Sequence, residues 1–400
     1  MSDRRLWAKP SCYRLPAPDT QWQAHLSERQ VSEFSNLRIG LVGPLPPPAG
    51  GMANQTRQLV ELLRSEKATV CLVQTNAPYR PAWAGRIPIV RALFRLLPYI
   101  TALWRMTSRM DVMHVMANSG WSWHLFAAPA IWIGRLRRVP VVVNYRGGEA
   151  ADFLSRSARL VRLSMSRTAL LIVPSGFLER VFEAHHIRAT VVPNIVDLER
   201  FRPGIATWHG GELRLLVARN LEPLYDNETA LRALALVLER YPYAHLTVAG
   251  TGPDEVRLRA LAQELGVADS VRFTGRLDRD AMADLYRESE VCLNPSLADN
   301  MPNSLLEALA SGVPVVSSNV GGIPYITQHE VTALLIPPRE PAAMAAAVCR
   351  LVEDPPLRHR LVEAGLRDVQ RYTWKRVAPL LASVYHAARN SQNGGRALAP

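Results

Sequence analysis

Short apolar runs alternate with helical patterns along most of the chain, and the alternation falls into two series. The runs are rich in Val, Ile and Leu, as expected of strands that are buried on both faces of a parallel sheet. The first series places strands at 37–42, 69–73, 111–115, 139–144, 170–173 and 190–192. The second series places them at 213–218, 244–250, 270–275, 291–294, 313–318 and 333–337. Because strands alternate with helices in both series, the pattern predicts two doubly wound α/β domains.

The same pattern predicts where these domains begin and end. A connector bounded by prolines, Pro193–Pro203, interrupts the alternation, and we place the domain boundary just after it. The predicted organisation is a flexible N-terminal extension at 1–36, a first domain at 37–205, a second domain at 206–373, a C-terminal helix at about 374–390 and a disordered tail at 391–400.

The stretch Val291–Tyr325 is the best candidate for a ligand site. It reads as strand, polar loop, helix ending at Gly312, strand and Gly-Gly turn, which is a βαβ unit. Ligands of parallel sheets bind at the carboxyl ends of strands, against helix N-termini that favour anions. The loop that holds Asp299 occupies this place, before the helix that holds Glu307. We therefore predict a site for an anionic ligand, with these two carboxylates beside it. Ser304 and Glu307 also have the spacing of a helix-capping box, so a purely structural role is the alternative.

Composition narrows the chemistry. The net charge of +12 and the pI near 10 predict an acidic partner: nucleic acid, anionic lipid or a phosphorylated substrate. The chain has only three lysines, Lys9, Lys67 and Lys375. We therefore expect neither a P-loop lysine nor a pyridoxal-binding lysine in its body, and phosphate must be met by arginine or backbone amides.

The cysteines and the hydropathy pattern bear on location. Cysteines 12, 71, 292 and 349 form neither a CxxC pair nor a zinc-binding spacing. This favours a reduced, cytosolic compartment, and we expect no metal site. The N-terminus lacks the apolar core of a signal peptide. We expect no transmembrane helix, because no apolar run approaches the roughly 18 uncharged residues that one requires.

Residues 86–109 predict a basic amphipathic helix. With about 100° per residue, four of its five arginines fall on one side and its leucines and Trp104 on the other. These arginines are Arg91, Arg95, Arg105 and Arg109. Such a helix can lie on an anionic membrane. The alternative, which we favour for the apolar face, is a domain helix that packs on the sheet and leaves its arginines in water.

Glycine turns follow two strands of the first series. Gly50-Gly51 precedes a helix and is either a cradle for phosphate or acceptor or an ordinary βα loop. Arg146-Gly147 follows the strand at 139–144. Neither series carries GxGxxG after its first strand, so a dinucleotide-dependent dehydrogenase is unsupported.

The stretch SLADNMPNSLLEALASGVPVVSSNVGGIPYI resembles the signature of the retaining, nucleotide-sugar-dependent glycosyltransferases known as group 1. VVPNIVDLERFRP, LTVAGTGPDEVRL, VRFTGRLD and the early Gly-Gly turn resemble further motifs of that family. The resemblance extends over about residues 37–388. It implies the GT-B fold, with two Rossmann-like doubly wound domains facing across a cleft. It also implies that the first domain binds the acceptor, that the second binds a nucleoside-diphosphate sugar, and that the last helix returns to the first domain.

The resemblance also implies roles for single residues. Arg219 would contact the diphosphate, Asp299 the donor sugar and Glu307 the ribose hydroxyls, and these three are the candidate catalytic residues. The remaining candidates for donor binding are Gly51, Arg276, Leu277, Asn300, Met301, Pro302, Asn303 and Ser304. The candidates for acceptor binding are Gly50, Arg146 and Gly147. No metal and no cofactor are implied beyond the nucleotide sugar as co-substrate.

Three positions depart from the family pattern. Asp299 stands where the family has a Glu, and Leu224 where it has a phosphate-contacting lysine. Tyr225 or Arg276 is a candidate to compensate for that lysine. Arg146 replaces a His, and a fixed cation there would suit an acidic acceptor; the alternative is a solvated loop residue.

The expected function is transfer of a sugar to a glycan or lipid-linked acceptor, in polysaccharide or glycolipid biosynthesis, with retention of anomeric configuration. We expect a cytoplasmic protein at the inner membrane face, with no nucleic-acid partner. The alternatives are a non-catalytic GT-B protein that binds sugar nucleotide or glycan, and a nucleotide-sugar epimerase. Donor base, sugar and acceptor are not readable from the sequence.

Overall fold

The computed structural model describes residues 32–47, 50–78, 88–204 and 212–393, with only the backbone described at 88–93, 392 and 393. Its contacts divide the chain into two compact units. Unit 1 takes residues up to Val173, Phe182–Thr190 and those from Pro379 onward. Unit 2 takes Pro174–Val181 and Val191–Ala378.

Unit 1 is built on a six-stranded sheet in the order β2-β1-β3-β4-β5-β6. Its strands are β1 Arg38–Gly43, β2 Thr69–Gln74, β3 Val112–Ala117, β4 Val141–Tyr145, β5 Leu170–Val173 and β6 Thr190–Val191. Its helices are α1 Gly51–Ser65, α2 Pro88–Thr107, α3 Ala128–Leu136 after a π-helical turn at Trp123–Ala127, and α4 Ala150–Met165. The helix α5, Gly176–Glu183, is divided between the two units. Strands β3 and β4 are buried along their whole length, because helices cover both faces of the sheet.

Unit 2 is built on a second six-stranded sheet, in the order β12-β11-β10-β7-β8-β9. Its strands are β7 Leu213–Val217, β8 Ala244–Ala249, β9 Val271–Gly275, β10 Val291–Asn294, β11 Val315–Ser318 and β12 Leu334–Ile336. Its helices are α6 Asn227–Leu238, α7 Glu255–Glu264, α8 Arg279–Glu288, α9 Asn303–Ala310, α10 Pro341–Glu353, α11 Pro355–Asp368 and the first residues of α12, Trp374–Asn393. All the strand pairs with a described register are parallel. The predicted α/β class with two doubly wound sheets is confirmed.

The strand order of each sheet identifies where a ligand would bind. In an open parallel sheet, a crevice forms at the carboxyl edge where the strand order reverses. In unit 2 this point lies between β7 and β10, which are direct neighbours. In unit 1 it lies between β1 and β3. The loops that follow these four strands are therefore the first places to look for function.

The end of the chain belongs to unit 1. Tyr385 of α12 is fully buried, and its hydroxyl lies 2.9 Å from Nδ1 of the buried His114 on β3. Phe34 packs edge-on against the same tyrosine. Burial, together with the positive charge of Arg146, lowers the pKa of His114 to about 3, so this contact is between neutral groups at physiological pH.

The boundaries between the two compact units differ from the predicted domain boundaries. The connector belongs to unit 2 from Val191, because Val196 and Phe201 are buried in that unit's core. The predicted boundary near residue 206 lies outside the described residues, as does most of the predicted extension at 1–36. The predicted tail at 391–400 was too long, because α12 continues to Asn393; residues 394–400 also lie outside the described part.

The predicted helix at 86–109 ends earlier in the structure and is oriented differently. It spans Pro88–Thr107, so Arg109 lies beyond its end. Tyr99, Leu103 and Met106 are buried, whereas Leu97 and Trp104 are exposed. The prediction that the whole apolar face lies against the sheet was wrong, because the apolar side chains of this helix point to both its buried and its exposed sides. The side chain of Arg91 lies outside the described part of the helix. No helix among the described residues is both long and apolar enough to span a membrane.

Candidate active site at the carboxyl edge of the unit 2 sheet

Arg219 follows β7 directly and lies at the switch point of unit 2. Its guanidinium stacks on the Tyr225 ring, with 4.0 Å between the guanidinium carbon and the ring centroid. Nη1 donates to Ser304 Oγ at 3.3 Å, which places the guanidinium at the N-terminus of α9. Its Nε is buried without a hydrogen-bond partner among the described residues. A fixed cation beside a helix N-terminus is an arrangement suited to binding an anion.

Asp299 forms an ion pair with Arg219. Nη2 of the guanidinium donates to the carboxylate, and both side chains are nearly excluded from solvent. Burial raises the pKa of Asp299, while the charge of Arg219 opposes this effect. The carboxylate also accepts a hydrogen bond from the amide of Asn300 at 2.9 Å. The aspartate therefore orients the arginine; its predicted contact with a donor sugar stays a prediction.

The loop from Asn300 to Asn303 is fixed by residues distant in sequence. Asn194 of the connector donates from Nδ2 to the Met301 carbonyl at 2.8 Å and to Asn303 Oδ1 at 2.9 Å. Ser175 donates its hydroxyl proton to the Asn300 side chain. Met301 is buried in the core of unit 2, and Pro302 caps α9 without an N–H of its own. Of the predicted donor-binding residues in this loop, Asn300 and Met301 thus have structural roles that the sequence did not reveal.

The Gly321-Gly322 turn passes directly against this loop. A Cβ on Gly321 would collide with the carbonyl oxygen of Asp299, and one on Gly322 with that of Asn300. Gly321 also has a φ of +53°, a conformation that favours glycine. The Gly322 amide donates to the Asp299 carbonyl at 2.9 Å. These two glycines therefore let two loops approach each other, and the turn positions the Asp299 loop.

Glu307 lies on α9, one turn beyond Ser304, and is held by Tyr286 of α8. The buried Tyr286 hydroxyl lies 3.2 Å from Glu307 Oε2 and 3.1 Å from the Ser304 carbonyl oxygen. Burial raises the pKa of Glu307 to about 7, against the positive charge of Arg279 and the hydrogen bond from Tyr286, which both lower it. The carboxylate is therefore poised to change its protonation near neutral pH.

The capping-box alternative for Glu307 was wrong. The helix α9 begins at Asn303 with Pro302 at the N-cap, and no side chain caps it. Ser304 is the second helical residue, and its hydroxyl accepts from Arg219 instead. The Ser304–Glu307 spacing thus positions two site residues and does not terminate the helix.

Arg276 and Leu277 follow β9 at the same edge of the sheet. Arg276 Nη2 donates to Thr251 Oγ1 at 3.2 Å, and Leu277 packs against the core of unit 2. Thr251 belongs to the Gly250–Gly252 loop after β8, where a Cβ on either glycine would collide with the backbone that follows β7. The loops after β7, β8 and β9 therefore pack side by side at one edge.

In unit 1, Gly50 and Gly51 lie at the start of α1, after β1. Gly50 has an extended backbone that any residue can adopt. A Cβ added to either glycine would meet nothing within 4 Å among the described residues. Neither packing nor conformation in the described chain therefore requires glycine here, whereas a ligand approaching the backbone would.

Arg146 follows β4 and belongs to the same edge of the unit 1 sheet. Its guanidinium donates to Gln55 of α1, and its amide donates to the Ala117 carbonyl at 2.9 Å. Burial lowers its pKa to about 9, so it stays charged at neutral pH. The alternative of a solvated loop residue was wrong. At Gly147, a Cβ would crowd Asn118, Ser119 and Tyr145, so packing alone explains that glycine.

Comparisons with known proteins agree with this geometry. The profile of the family described as Glycosyl transferases group 1 matches residues 203–368, and that of the Glycosyl transferase 4-like domain matches residues 50–195. The matches fall in both units of the structure. The chain belongs to the group 1 glycosyltransferases.

Individual relatives of this glycosyltransferase are similar to it over different lengths. It is 32% identical to a D-inositol 3-phosphate glycosyltransferase of Acidothermus cellulolyticus over 60% of this chain, but spans only 55% of that relative. It is 27% identical to a phosphatidyl-myo-inositol mannosyltransferase of Mycobacterium leprae over 89% of this chain and 98% of that one. Among solved structures, Anabaena HepE in complex with UDP-glucose superposes with a TM-score of 0.67 and 16% identity, over 87% of this chain and 99% of the other. These likenesses place the fold in the GT-B class.

Several site residues of the glycosyltransferase escaped the sequence analysis. Asn194 and Ser175 hold the Asp299 loop, and Tyr286 holds Glu307. The Pro-Asn pair in the connector motif was a signal for Asn194, whereas nothing local marked Ser175 or Tyr286. Within the described part of the chain, no group of three or more His, Cys, Asp or Glu residues is arranged to hold a metal ion.

We expect Gly51→Ala and Gly322→Ala to differ in their effects on stability. Alanine at the first position of α1 meets open space, so Gly51→Ala should leave the stability unchanged or raise it by about 0.5–1 kcal/mol. Its turnover should nevertheless fall at least about tenfold, because a methyl group would occupy the space that a ligand needs. Gly322→Ala should lower the unfolding free energy through backbone collision. Denaturant titration and initial rates check both variants. Full activity of Gly51→Ala would show that Gly51 is not part of the site.

We expect Tyr286→Phe to lower the stability by about 1 kcal/mol, because it deletes one buried hydrogen bond. It should also raise the pKa of Glu307 further, since the hydroxyl stabilises the charged carboxylate. Unfolding titrations at pH 6 and pH 8 check the first effect. The pH dependence of donor binding checks the second, and an unshifted midpoint would show that this hydroxyl does not act on Glu307.

Proposed function

We propose that the protein is a retaining, metal-independent glycosyltransferase that moves a sugar from a nucleoside-diphosphate sugar to a glycan or lipid-linked acceptor. One observation carries the proposal: Arg219, the N-terminus of α9 and Glu307 converge at the switch point of unit 2. An anion and a diol are the two groups that this arrangement can bind, and a nucleoside diphosphate contains both. The UDP-glucose bound by Anabaena HepE, which shares the fold, supports this choice.

In the proposed mechanism, the enzyme stabilises the departing diphosphate. Negative charge grows on the leaving phosphate as the bond to the sugar breaks, and Arg219 and the first amides of α9 lie where that charge would develop. Asp299 and Tyr225 hold the guanidinium in place before the reaction, so little reorganisation is needed. This fixed positive charge neutralises the leaving diphosphate, as a divalent cation does in metal-dependent transferases. The leaving phosphate itself accepts the proton of the acceptor hydroxyl.

Glu307 serves the proposed function as a binding group. Its ionised carboxylate can accept hydrogen bonds from both hydroxyls of a ribose. It is no candidate for the nucleophile, because Tyr286 holds one of its oxygens and the carboxylate lies on the helix rather than in the loop. Asp299, the other carboxylate, is held in its ion pair with Arg219. We therefore propose retention assisted by the leaving group and not a covalent glycosyl-enzyme.

Unit 1 is proposed to bind the acceptor at the carboxyl edge of its own sheet. Arg146 supplies a charged guanidinium there, and Gly50 precedes the first turn of α1. A cation in this place suits an acceptor with a phosphate or carboxylate. The names of the two relatives, which act on an inositol phosphate and a phosphatidylinositol, agree with an anionic acceptor. A role in polysaccharide or glycolipid synthesis, in the cytoplasm at the inner face of the membrane, is part of this proposal.

A panel of nucleotide sugars read by thermal shift tests the proposal. A donor at 100 times its dissociation constant should stabilise the protein by about 2.7 kcal/mol. The stabilising donor is then incubated with membrane extracts as acceptor source, and the anomeric configuration of the product is read by NMR. A retained configuration supports the proposal. Stabilisation without any turnover would instead favour a sugar-nucleotide-binding protein, and a changed sugar without acceptor would favour an epimerase.

A further inference from the structure

The outer layer of unit 1 is formed by α2, α3 and α4, with α3 packed between the other two. Each helix buries one side within unit 1, through residues such as Leu103, Ile131 and Val161. The opposite sides of the three helices form a surface that we name the outer helical face.

Large apolar side chains are exposed along this face. Leu136 retains 69% of its surface exposure, Leu160 60% and Leu97 57%. Trp104, Trp132 and Leu163 are exposed as well. A single exposed leucine is ordinary, but six large apolar side chains on three adjacent helices indicate an interaction surface.

Arginines connect these apolar side chains from helix to helix. Arg137, just after α3, lies over the Trp104 ring of α2 at 4.7 Å from the ring centroid. Arg167, just after α4, lies over the Trp132 ring of α3 at 5.6 Å. The exposed tryptophans therefore form one continuous surface with the arginines of the neighbouring helix.

Along α3 and α4 the exposed leucines and arginines share one side. With about 100° per residue, Arg156, Arg159, Leu160 and Leu163 of α4 fall within an arc of roughly 100°. Trp132, Arg135 and Leu136 of α3 fall within a similar arc. The face is thus both apolar and cationic, which is the composition of helices that lie in a membrane interface.

The charge of this region is strongly one-sided. Residues 88–168 contain twelve arginines, three acidic residues and no lysine, and they hold most of the chain's net charge of +12. Of the three carboxylates, Asp111 is paired with Arg38, and Glu149 and Asp152 lie at the N-terminal end of α4. The outer helical face therefore repels a second copy of itself and attracts an anionic surface.

We propose that the outer helical face binds an anionic lipid bilayer, with arginines on the phosphates and Trp104, Trp132, Leu136 and Leu163 in the interface. Guanidinium groups bind phosphate in a forked geometry, and tryptophan prefers the headgroup level. Nucleic acid would use the arginines but would leave the leucines in water, so a bilayer satisfies more of the face. This inference rests on the proposed function where it concerns a lipid-linked acceptor. It extends the predicted membrane contact from the arginines of α2 to the exposed sides of α3 and α4.

Vesicle flotation of the full chain, without donor or acceptor, tests the inference. Vesicles of phosphatidylcholine and phosphatidylglycerol in equal amounts should bind the protein, and pure phosphatidylcholine vesicles should not. Leu136→Glu with Leu163→Glu should weaken binding at least about tenfold, because two apolar side chains leave the interface. Arg156→Gln with Arg159→Gln should weaken it roughly 25-fold, as expected for two basic residues near an anionic surface. All four positions are exposed, so the variants should fold normally.

The matched control is Leu236→Glu with Val256→Glu, which places the same two changes on exposed sites of α6 and α7. Vesicle binding of this control should equal that of the unchanged chain. Equal binding of all variants would overturn the inference, and so would binding to duplex DNA that is as tight as to vesicles and insensitive to Leu136→Glu. Thermal stabilisation by a nucleotide sugar is measured on the same variants and should persist in all of them. Loss of vesicle binding with intact donor binding thus separates this inference from the proposed function.

Discussion

Arg219→Ala should lower turnover with the nucleotide-sugar donor about 10³-fold, as expected for the loss of a group that stabilises charge on the leaving phosphate. The effect should appear in kcat as well as in kcat/KM, because the charge grows as the bond breaks. Initial rates of nucleoside diphosphate release measure it. Arg219 is also buried against Asp299, so its removal leaves a carboxylate unpaired and should cost roughly 3–5 kcal/mol of stability.

Arg219→Lys separates catalysis from folding. Lysine keeps a positive charge beside Asp299, so the fold should survive, but it loses the planar stack on Tyr225 and the forked donor geometry. We expect turnover to fall at least about tenfold in this variant. Arg232→Ala, on the exposed side of α6, is the matched control and should retain full activity, because a surface ion pair contributes little. A folded Arg219→Lys variant with unchanged turnover would exclude the proposed role.

Glu307→Gln should make the protein more stable at pH 8 and weaken its binding of the nucleotide sugar. The pKa of Glu307 is raised by burial to about 7, from an ordinary value of 4.5. Between these values the unfolded chain loses the proton before the folded protein does, so the native stability falls as the pH rises from 4.5 to 7. Glutamine does not titrate. Its gain over the native chain should therefore be absent below pH 4.5 and reach at most about 3 kcal/mol above pH 7.

Donor binding should show the opposite pH dependence. In the proposed complex the ionised carboxylate accepts from both ribose hydroxyls, so the affinity of the native chain should rise roughly tenfold between pH 6 and pH 8. In Glu307→Gln this dependence should disappear, and the affinity at pH 8 should be about 10–100 times weaker. Calorimetry with the intact nucleotide sugar is the measurement, because its diphosphate does not titrate in this range. Glu255→Gln, a change at a partly exposed surface ion pair of α7, is the control. If the affinity of Glu307→Gln still changed with pH, the pH dependence would belong to another group.

The strands of both sheets were predictable from the sequence, because each buried parallel strand is a short apolar run between turns. Val291–Asn294 is a strand at the predicted residues, and α9 ends before Gly312, where a φ of +69° favours glycine. The prediction that the apolar face of α2 packs on the sheet was wrong. Apolar periodicity alone does not distinguish a helix face that packs on the sheet from one that stays exposed. The exposure of Leu97 and Trp104 follows only from the packing of neighbouring helices.

At the candidate site, the motif identified the residues, and only the packing shows which side chains hold them in place. Arg219, Asp299 and Glu307 were singled out from the sequence, yet the pairing of Arg219 with Asp299 depends on two loops that follow strands far apart in the chain. Tyr225 was a candidate to replace a missing lysine, and the structure shows that it stacks on Arg219. The contact of Tyr286 with Glu307 joins two helices, and no local pattern encodes such a contact.

Calorimetric titration of the full chain with nucleoside diphosphates tests the central claim most directly. We predict that one nucleoside diphosphate binds per chain, that Arg219→Lys weakens this binding, and that Glu307→Gln weakens it at pH 8. Arg146→Gln, which changes the proposed acceptor site in unit 1, should leave this binding unchanged. Absence of binding by every nucleoside diphosphate, or equal binding by the native chain and both unit 2 variants, would contradict the account.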